Sequence, residues 1–229
     1  MSMPFYVSPE QVMKDRADYA RKGIARGRSL VAIEYTSGVA LVAENPSRTL
    51  FKMAEIYDRI AFAGVGKYNE FETLKIAGVR HADIKGYSYS RDDVTARGLA
   101  NAYAQTLGNI FTHEMKPYEV EILVAAIGRD DAPNELYHIL YDGTVMDEHR
   151  FSVLGGEAET IGQHLETNYA EGLDRGAAIR LGVSALQAPE GTADLGVGDL
   201  EVAVLDRSNG RRAFHPVRGD ELASLLTAS

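Results

Sequence analysis

The chain has 229 residues, 45% of them apolar and 25% charged, so it is long enough to bury a substantial core in one large domain or two small ones. It contains no cysteine, which excludes disulfide bonds and thiolate metal sites, and its formal net charge of -9 argues against general nucleic-acid binding. No apolar run reaches the roughly 18 residues of a membrane span, and the N-terminus lacks the regions of a signal peptide. We therefore expect a soluble cytoplasmic protein. The six histidines form no pair at helical spacing, so no metal site is predicted.

The first predicted element is a helix that starts at Ser8. Ser8 suits the N-cap, Pro9 suits the first helical position, and Gln11 stands where a capping box places its second member. Apolar residues then recur at helical spacing, namely Met13, Ala17, Ala20 and Ile24. Gly27 ends the run. The sequence therefore predicts a helical segment within residues 8–27, preceded by seven uncharged residues.

The elements that follow come in blocks of strands and helices. The runs LVAIEY and VALVAE flank Thr36-Ser37-Gly38 and predict a tight hairpin whose glycine supplies a positive φ. Further strands are predicted at 49–57, 59–64, 119–127, 135–140, near Thr144 and Phe151, and at 200–205 and 212–217. Helices are predicted from Tyr68, at 94–111, 157–171 and 176–188, and at the C-terminus. This order indicates an α+β fold in which two facing sheets, each covered by a helix pair, form one four-layer αββα sandwich over residues 28–229.

Few residues suggest chemistry on their own. Gly64-Val65-Gly66 is similar to a dinucleotide loop, but Asn69 stands in place of the third glycine, so a plain strand-to-helix turn is the better interpretation. Ser29 and Thr36 are hydroxyls near the hairpin, and neither has a base beside it in the sequence. Lys52 interrupts the apolar run LFKMAEI. Its ammonium either points to solvent, which the pattern alone favours, or lines a pocket.

Two segments together resemble the N-terminal third of a proteasome α subunit, most of all in the actinobacterial branch: SPEQVMKDRADYARKGIARGRSLVAIEYTSGVALVAE and LFKMAEIYDRIAFAGVG. The resemblance also covers the long helix, the strand KPYEVEILVAAIG and the final helix pair, so it includes nearly the whole chain. It implies the αββα sandwich of the N-terminal-nucleophile hydrolases, the same architecture that the element order indicates. It further implies a heptameric outer ring that gates entry to the catalytic β rings of a threonine endopeptidase complex.

The resemblance implies that this chain has no catalytic residue of its own. In catalytic β subunits a cleaved propeptide exposes an N-terminal threonine, an acidic residue ends the second strand, and a lysine follows on the next strand. By strand register these places hold Arg28, Glu44 and Lys52, so the acid and the lysine are present while the nucleophile is absent. One alternative is an active N-terminal-nucleophile amidohydrolase matured by cleavage before Ser29. Another is a free-standing peptide-binding scaffold.

The resemblance also implies where partners bind. Lys52 would lie in a pocket between ring neighbours and bind the C-terminal carboxylate of a hexameric ATPase or other ring activator, with Gly27 and Gly66 lining the pocket. Unfolded substrates would pass a gate built from residues 1–7. The gate residues are Ser2, Met3, Pro4, Phe5, Tyr6 and Val7. The pore-narrowing loop of the family would lie near Lys85, Gly86, Tyr87 and Ser88. No cofactor, nucleic-acid or membrane partner is implied.

Overall fold

The computed structural model describes residues 8–129, 132–192 and 194–227. Its helices are α1 (Pro9–Ile24), α2 (Tyr68–Ser88), α3 (Ala96–His113), α4 (Ala158–Asn168), α5 (Arg175–Leu186) and α6 (Gly219–Thr227). Its strands are β1 (Leu30–Tyr35), β2 (Gly38–Glu44), β3 (Met53–Tyr57), β4 (Ile60–Gly66), β5 (Val120–Ala126), β6 (Glu135–Ile139), β7 (Val145–Glu148), β8 (Phe151–Leu154), β9 (Leu200–Asp206) and β10 (Phe214–Val217). The predicted α+β class and block order are confirmed. None of the helices within these residues combines the length and apolar character that crossing a membrane requires.

The strands form two five-stranded antiparallel sheets. The first sheet has the order β10-β9-β2-β1-β8 and the second has the order β3-β4-β5-β6-β7. The predicted hairpin joins β1 to β2, with Tyr35 paired to Gly38. The predicted positive φ at Gly38 is wrong. Glycine is needed there because a Cβ would overlap the carbonyl oxygen of Leu205 on the neighbouring strand β9.

Three apolar layers hold the four layers of secondary structure together. The space between the sheets is filled by branched aliphatic side chains that include Leu30, Leu41, Leu123, Leu136 and Leu154. Helices α2 and α3 pack on the outer face of the second sheet through residues that include Phe71, Leu74, Leu99 and Tyr103. Helices α4, α5 and α6 pack on the outer face of the first sheet through residues that include Ile161, Leu165, Ile179 and Leu222. The αββα sandwich is therefore confirmed, and apolar burial is its main source of stability.

Helix α1 begins as the sequence predicts, although its capping box is only half formed. The Ser8 Oγ accepts a hydrogen bond from the backbone N–H of Gln11 at 3.3 Å. The Gln11 side chain donates to Asp15 Oδ1 at 2.7 Å instead of reaching back to Ser8. One turn of the helix thus gains an i,i+4 contact in place of the second cap bond.

Helix α1 is an addition to the four layers and packs on its own small cluster. Its buried residues Ala20 and Ile24 contact Tyr141 in that cluster. Arg16 fixes the helix further, because its guanidinium donates to the carbonyl oxygen of Phe111 at 2.7 Å. The chain then turns through residues 25–29 and enters β1 directly. This turn is the place at which the candidate site forms.

The strand predicted from residue 49 begins four residues later, at Met53. The preceding residues form a turn that is held by side chains. Asn45 Oδ1 accepts from the backbone N–H of Ser47 at 3.1 Å, and Ser47 Oγ accepts from the backbone N–H of Leu50 at 3.0 Å. Such side-chain bonds compete with a β ladder for the backbone donors, which explains the late start of the strand.

Candidate functional site

Lys52 lies directly before β3, close to the turn that joins α1 to β1. Its Nζ donates to the backbone carbonyl oxygen of Arg28 at 2.5 Å. Its own carbonyl oxygen accepts from the N–H of Gly64 at 3.0 Å, and its N–H donates to Glu201 Oε2 at 2.9 Å. The ammonium is therefore bonded to the turn before β1, and the residue as a whole is part-buried. Hydrogen bonds hold the residue at both ends.

Burial sets the ionisation of Lys52. It lowers the pKa of the ammonium from 10.5 to about 8, against the opposing effect of the Glu201 and Glu44 carboxylates, while Arg28 lowers the pKa further. With a pKa of about 8, most molecules carry the charge at neutral pH and about half carry it at pH 8. The site therefore presents a cation whose charge responds to mild alkali.

Arg28 and Glu44 form an ion pair next to Lys52. The pair connects the residues just before β1 and at the end of β2, two strands whose ladder runs from Leu30–Ala43 to Tyr35–Gly38. The structure therefore brings together the three residues that the strand register predicted. A guanidinium has hydrogen-bond donors and no acceptor, so the side chain in the first of these places is no nucleophile.

The two predicted glycines lie against each other. Gly66 has φ +108°, and a Cβ on it would overlap the carbonyl oxygen of Glu119, so a larger residue does not fit without strain. A Cβ on Gly27 would lie 3.0 Å from the backbone nitrogen of Gly66. Gly27 precedes Arg28, whose carbonyl group binds Lys52, so all three predicted pocket residues occupy one region.

A small cavity of about 110 Å³ opens beside this region, between the turn after α1 and the start of α4. Gly27, Arg28 and Glu44 line one side, and Gly156 and Glu157 line the other. Lys52 does not line this cavity. This cavity of the single chain therefore does not enclose the Lys52 ammonium.

Comparisons with known proteins show the family of this chain. Residues 24–205 match the family described as "Proteasome subunit". This chain belongs to the proteasome subunit family. It is 56% identical to the proteasome subunit alpha of Kineococcus radiotolerans over the full length of both chains. It is 58% identical to that of Sanguibacter keddieii, over all of this chain and 91% of the relative, and 59% identical to that of a Nocardioides species, over 99% and 90%. The resemblance to actinobacterial α subunits is confirmed.

The residues predicted to lie near the pore-narrowing loop are helical in this proteasome-family chain. Lys85, Gly86, Tyr87 and Ser88 form the last turn of α2. That turn packs against Tyr57, the last residue of β3, at the end of the strand far from Lys52. A Cβ on Gly86 would overlap the Tyr57 hydroxyl. The helix persists there because glycine permits its close contact with the sheet. Tyr87 is 94% exposed at this position. The predicted gate residues 2–7 lie outside the described residues.

A charged cluster on the other side of Gly66 has no counterpart in the sequence predictions. Lys116 Nζ donates to Glu70 Oε1 at 2.7 Å and lies 2.8 Å from Glu119 Oε2. Glu70 is buried and also accepts from the backbone N–H of Glu119 at 2.6 Å. Lys67 lies 3.9 Å from both carboxylates. These cations are paired within the chain, and the cluster fixes the backbone around Gly66.

Lys52 differs from these neighbours in its partners. Across residues 8–129, 132–192 and 194–227, no carboxylate lies within ion-pair distance of its Nζ, and the one hydrogen bond recorded for the ammonium goes to a carbonyl oxygen. An ammonium has three donors, so two remain for another group. The arrangement suits a single external carboxylate, which would form charge-assisted hydrogen bonds with it.

Proposed function

We propose that this protein is the non-catalytic α subunit of a proteasome core particle, in which it forms the heptameric outer rings. In this role it assembles with catalytic β subunits, gates the entry of unfolded proteins, and docks a hexameric ATPase or other activator in pockets between ring neighbours. The observation that carries the proposal is the part-buried Lys52 ammonium, which forms no ion pair with a carboxylate among the described residues and lies beside Arg28 in the nucleophile's place. We expect the particle to act in the cytoplasm in protein degradation.

The turn after α1 supports a non-catalytic role. The N–H of Ala25 donates to Arg21 O at 2.8 Å, and the N–H of Gly27 donates to Ile24 O at the same distance. Catalysis by an N-terminal nucleophile needs a free α-amine as proton acceptor, which here requires cleavage between Arg28 and Ser29, directly after this hydrogen-bonded turn. Ser29, the nucleophile of the rival amidohydrolase, is only 8% exposed.

The remaining hydrogen-bond donors of the Lys52 ammonium support docking between neighbouring subunits. The ammonium has two free donors, and a hydrogen bond to a charged group contributes roughly 1.5–3 kcal/mol in proteins. The same interaction at a fully wet site would contribute less because water screens the charges. A ring neighbour that covers this region would exclude water, so the second chain strengthens the binding of a carboxylate.

The first experiment compares this chain alone with the chain co-expressed with its β subunit. Both preparations are sized on one column and assayed with a small fluorogenic peptide. We expect hydrolysis only in a large co-expressed particle, and an intact mass that retains Arg28. Hydrolysis by the lone chain, with a mature protein that begins at Ser29, would establish the amidohydrolase instead. A stable lone chain that binds peptides without β subunits would favour the scaffold.

The docking role is tested in the assembled particle. Lys52→Ala removes the ammonium, and Lys14→Ala, an exposed lysine on α1, removes an equal charge as the matched control. We expect the partner ATPase to stimulate degradation by the Lys14→Ala particle and not by the Lys52→Ala particle, with basal peptide hydrolysis equal in both. Equal stimulation of the two particles would contradict the assignment of Lys52.

A further inference from the structure

Glu201, on β9, holds the backbone on which Lys52 is carried. Its Oε2 accepts from the N–H of Lys52 at 2.9 Å, and its Oε1 accepts from the N–H of Met53 at 2.9 Å. Strand β3 is at the edge of the second sheet, while β9 belongs to the first sheet. The Glu201 carboxylate therefore joins the two sheets at the start of β3, and each of its oxygens accepts one backbone N–H.

Asn45 completes this arrangement from the turn between β2 and β3. Its Nδ2 donates to Glu201 Oε2 at 2.6 Å and to the carbonyl oxygen of Leu50 at 2.8 Å. Asn45 is 8% exposed, so these bonds lie out of water. Three N–H donors thus converge on the Glu201 carboxylate, and hydrogen bonds to an ionised acceptor are about twice as strong as neutral ones.

The position of the Lys52 ammonium follows from both ends of the residue. Glu201 holds the backbone nitrogen, and the carbonyl oxygen of Arg28 accepts from Nζ at 2.5 Å. A lysine side chain otherwise loses rotamer entropy when a partner binds. Because the backbone nitrogen and the Nζ of Lys52 are both already held, the side chain loses less of this entropy on binding. Its affinity for a carboxylate is therefore greater.

We propose that Glu201 is a positioning residue for Lys52, which fixes the lysine backbone to β9 and places a carboxylate beside the residue. The identity of the carboxylate that Lys52 binds rests on the proposed function, whereas the positioning role does not. The charged groups that act on Lys52 are Glu201 from β9, Glu44 from β2, and Arg28 from the residues before β1. Of the two carboxylates, Glu201 is the one that also binds the backbone of Lys52.

The test measures the reactivity of Lys52 in the full chain as a function of pH. Acetic anhydride acylates only the neutral amine, so the labelled fraction of the Lys52 peptide, read by mass spectrometry against that of Lys14, reports the charge. Glu201→Gln keeps an acceptor for one backbone N–H and removes the charge. We expect its acylation midpoint to move to lower pH than the wild-type midpoint of about 8. Glu159→Gln, the same change at an exposed position on α4, should leave the midpoint unchanged.

A purely structural role would not move this midpoint, so an unchanged midpoint in a folded Glu201→Gln variant overturns the proposal. Glu201→Asp keeps the charge and withdraws the oxygens by one methylene, and it decides the matter if the Gln variant does not fold. We expect Lys52 to be acylated faster in the Asp variant than in the wild type at each pH, since its anchor is loosened. Equal rates would overturn the proposal.

The same variants are then tested for binding of the C-terminal peptide of the partner ATPase, in assembled particles. We expect weaker binding by Glu201→Gln and wild-type binding by Glu159→Gln. If the wild-type particle does not bind the peptide, the proposed docking function fails. The acylation profile needs no activator, so it still decides whether Glu201 positions Lys52.

Discussion

The affinity of the assembled particle for an activator's C-terminal peptide should fall as pH rises through 8. Only the charged ammonium of Lys52 attracts a carboxylate, and burial has lowered the pKa of that ammonium to about 8. Because the folded pKa lies below its ordinary value, the charged form is present below pH 8 and is lost above it. The terminal carboxylate of the peptide stays ionised across this range.

The size of the effect follows from this pKa. The charged fraction of Lys52 is about nine-tenths at pH 7 and about one-tenth at pH 9, so the association constant should fall about tenfold between these values. Tenfold corresponds to about 1.4 kcal/mol. Fluorescence anisotropy of a labelled peptide, titrated with particle at each pH, measures this directly.

Two controls isolate Lys52 from other titrating groups. The Lys52→Ala particle should bind the peptide weakly, and its affinity should show no step near pH 8. The wild-type particle should bind a peptide with an amidated C-terminus in the same way, weakly and with no step. The reasoning is refuted if wild-type affinity is constant between about pH 7 and pH 9, or if the Lys52→Ala particle shows the same tenfold fall.

Four further predictions concern the gate, the stability effect of Lys52, and the contact between Tyr103 and Gly78. Deleting Ser2 to Val7 should raise hydrolysis of small peptides by the assembled particle, because the predicted gate is removed, and equal rates with and without the segment would contradict the gate. Lys52→Met should not lower the melting temperature at pH 7, because it removes a cation whose burial is unfavourable; a clear drop measured by calorimetry would show that the ammonium stabilises the fold. Tyr103→Phe should leave the melting temperature equal or raise it, because the buried Tyr103 hydroxyl has no hydrogen-bond partner among the described residues. Gly78→Ala should destabilise the wild type, since its Cβ would overlap that hydroxyl, and it should be tolerated in the Tyr103→Phe background; equal losses in both would argue against the overlap.

Local patterns in the sequence predicted most of the helices and strands and part of the candidate site. Ser8 and Pro9 define the start of α1 because a cap depends on residues a few positions apart. The hairpin brings Arg28 and Glu44 together, since strand register follows from turn length and alternation, whereas the choice of Lys52 came from the family resemblance. Gly66 was predicted to line the pocket. Its positive φ and its contact with Glu119 are further reasons for glycine that the sequence does not reveal.

The remaining features arise from contacts between distant parts of the chain. Glu201 is 149 residues from Lys52 in the sequence, and nothing in its neighbours marks it as part of the site. It binds Lys52 because the two sheets face each other and bring β9 to the start of β3. The same packing extends α2 through Ser88 and pairs Lys116 with Glu70 and Glu119. Caps, turns and periodicity are short-range properties that a sequence displays directly, whereas the partner of a buried carboxylate is selected by how the layers pack.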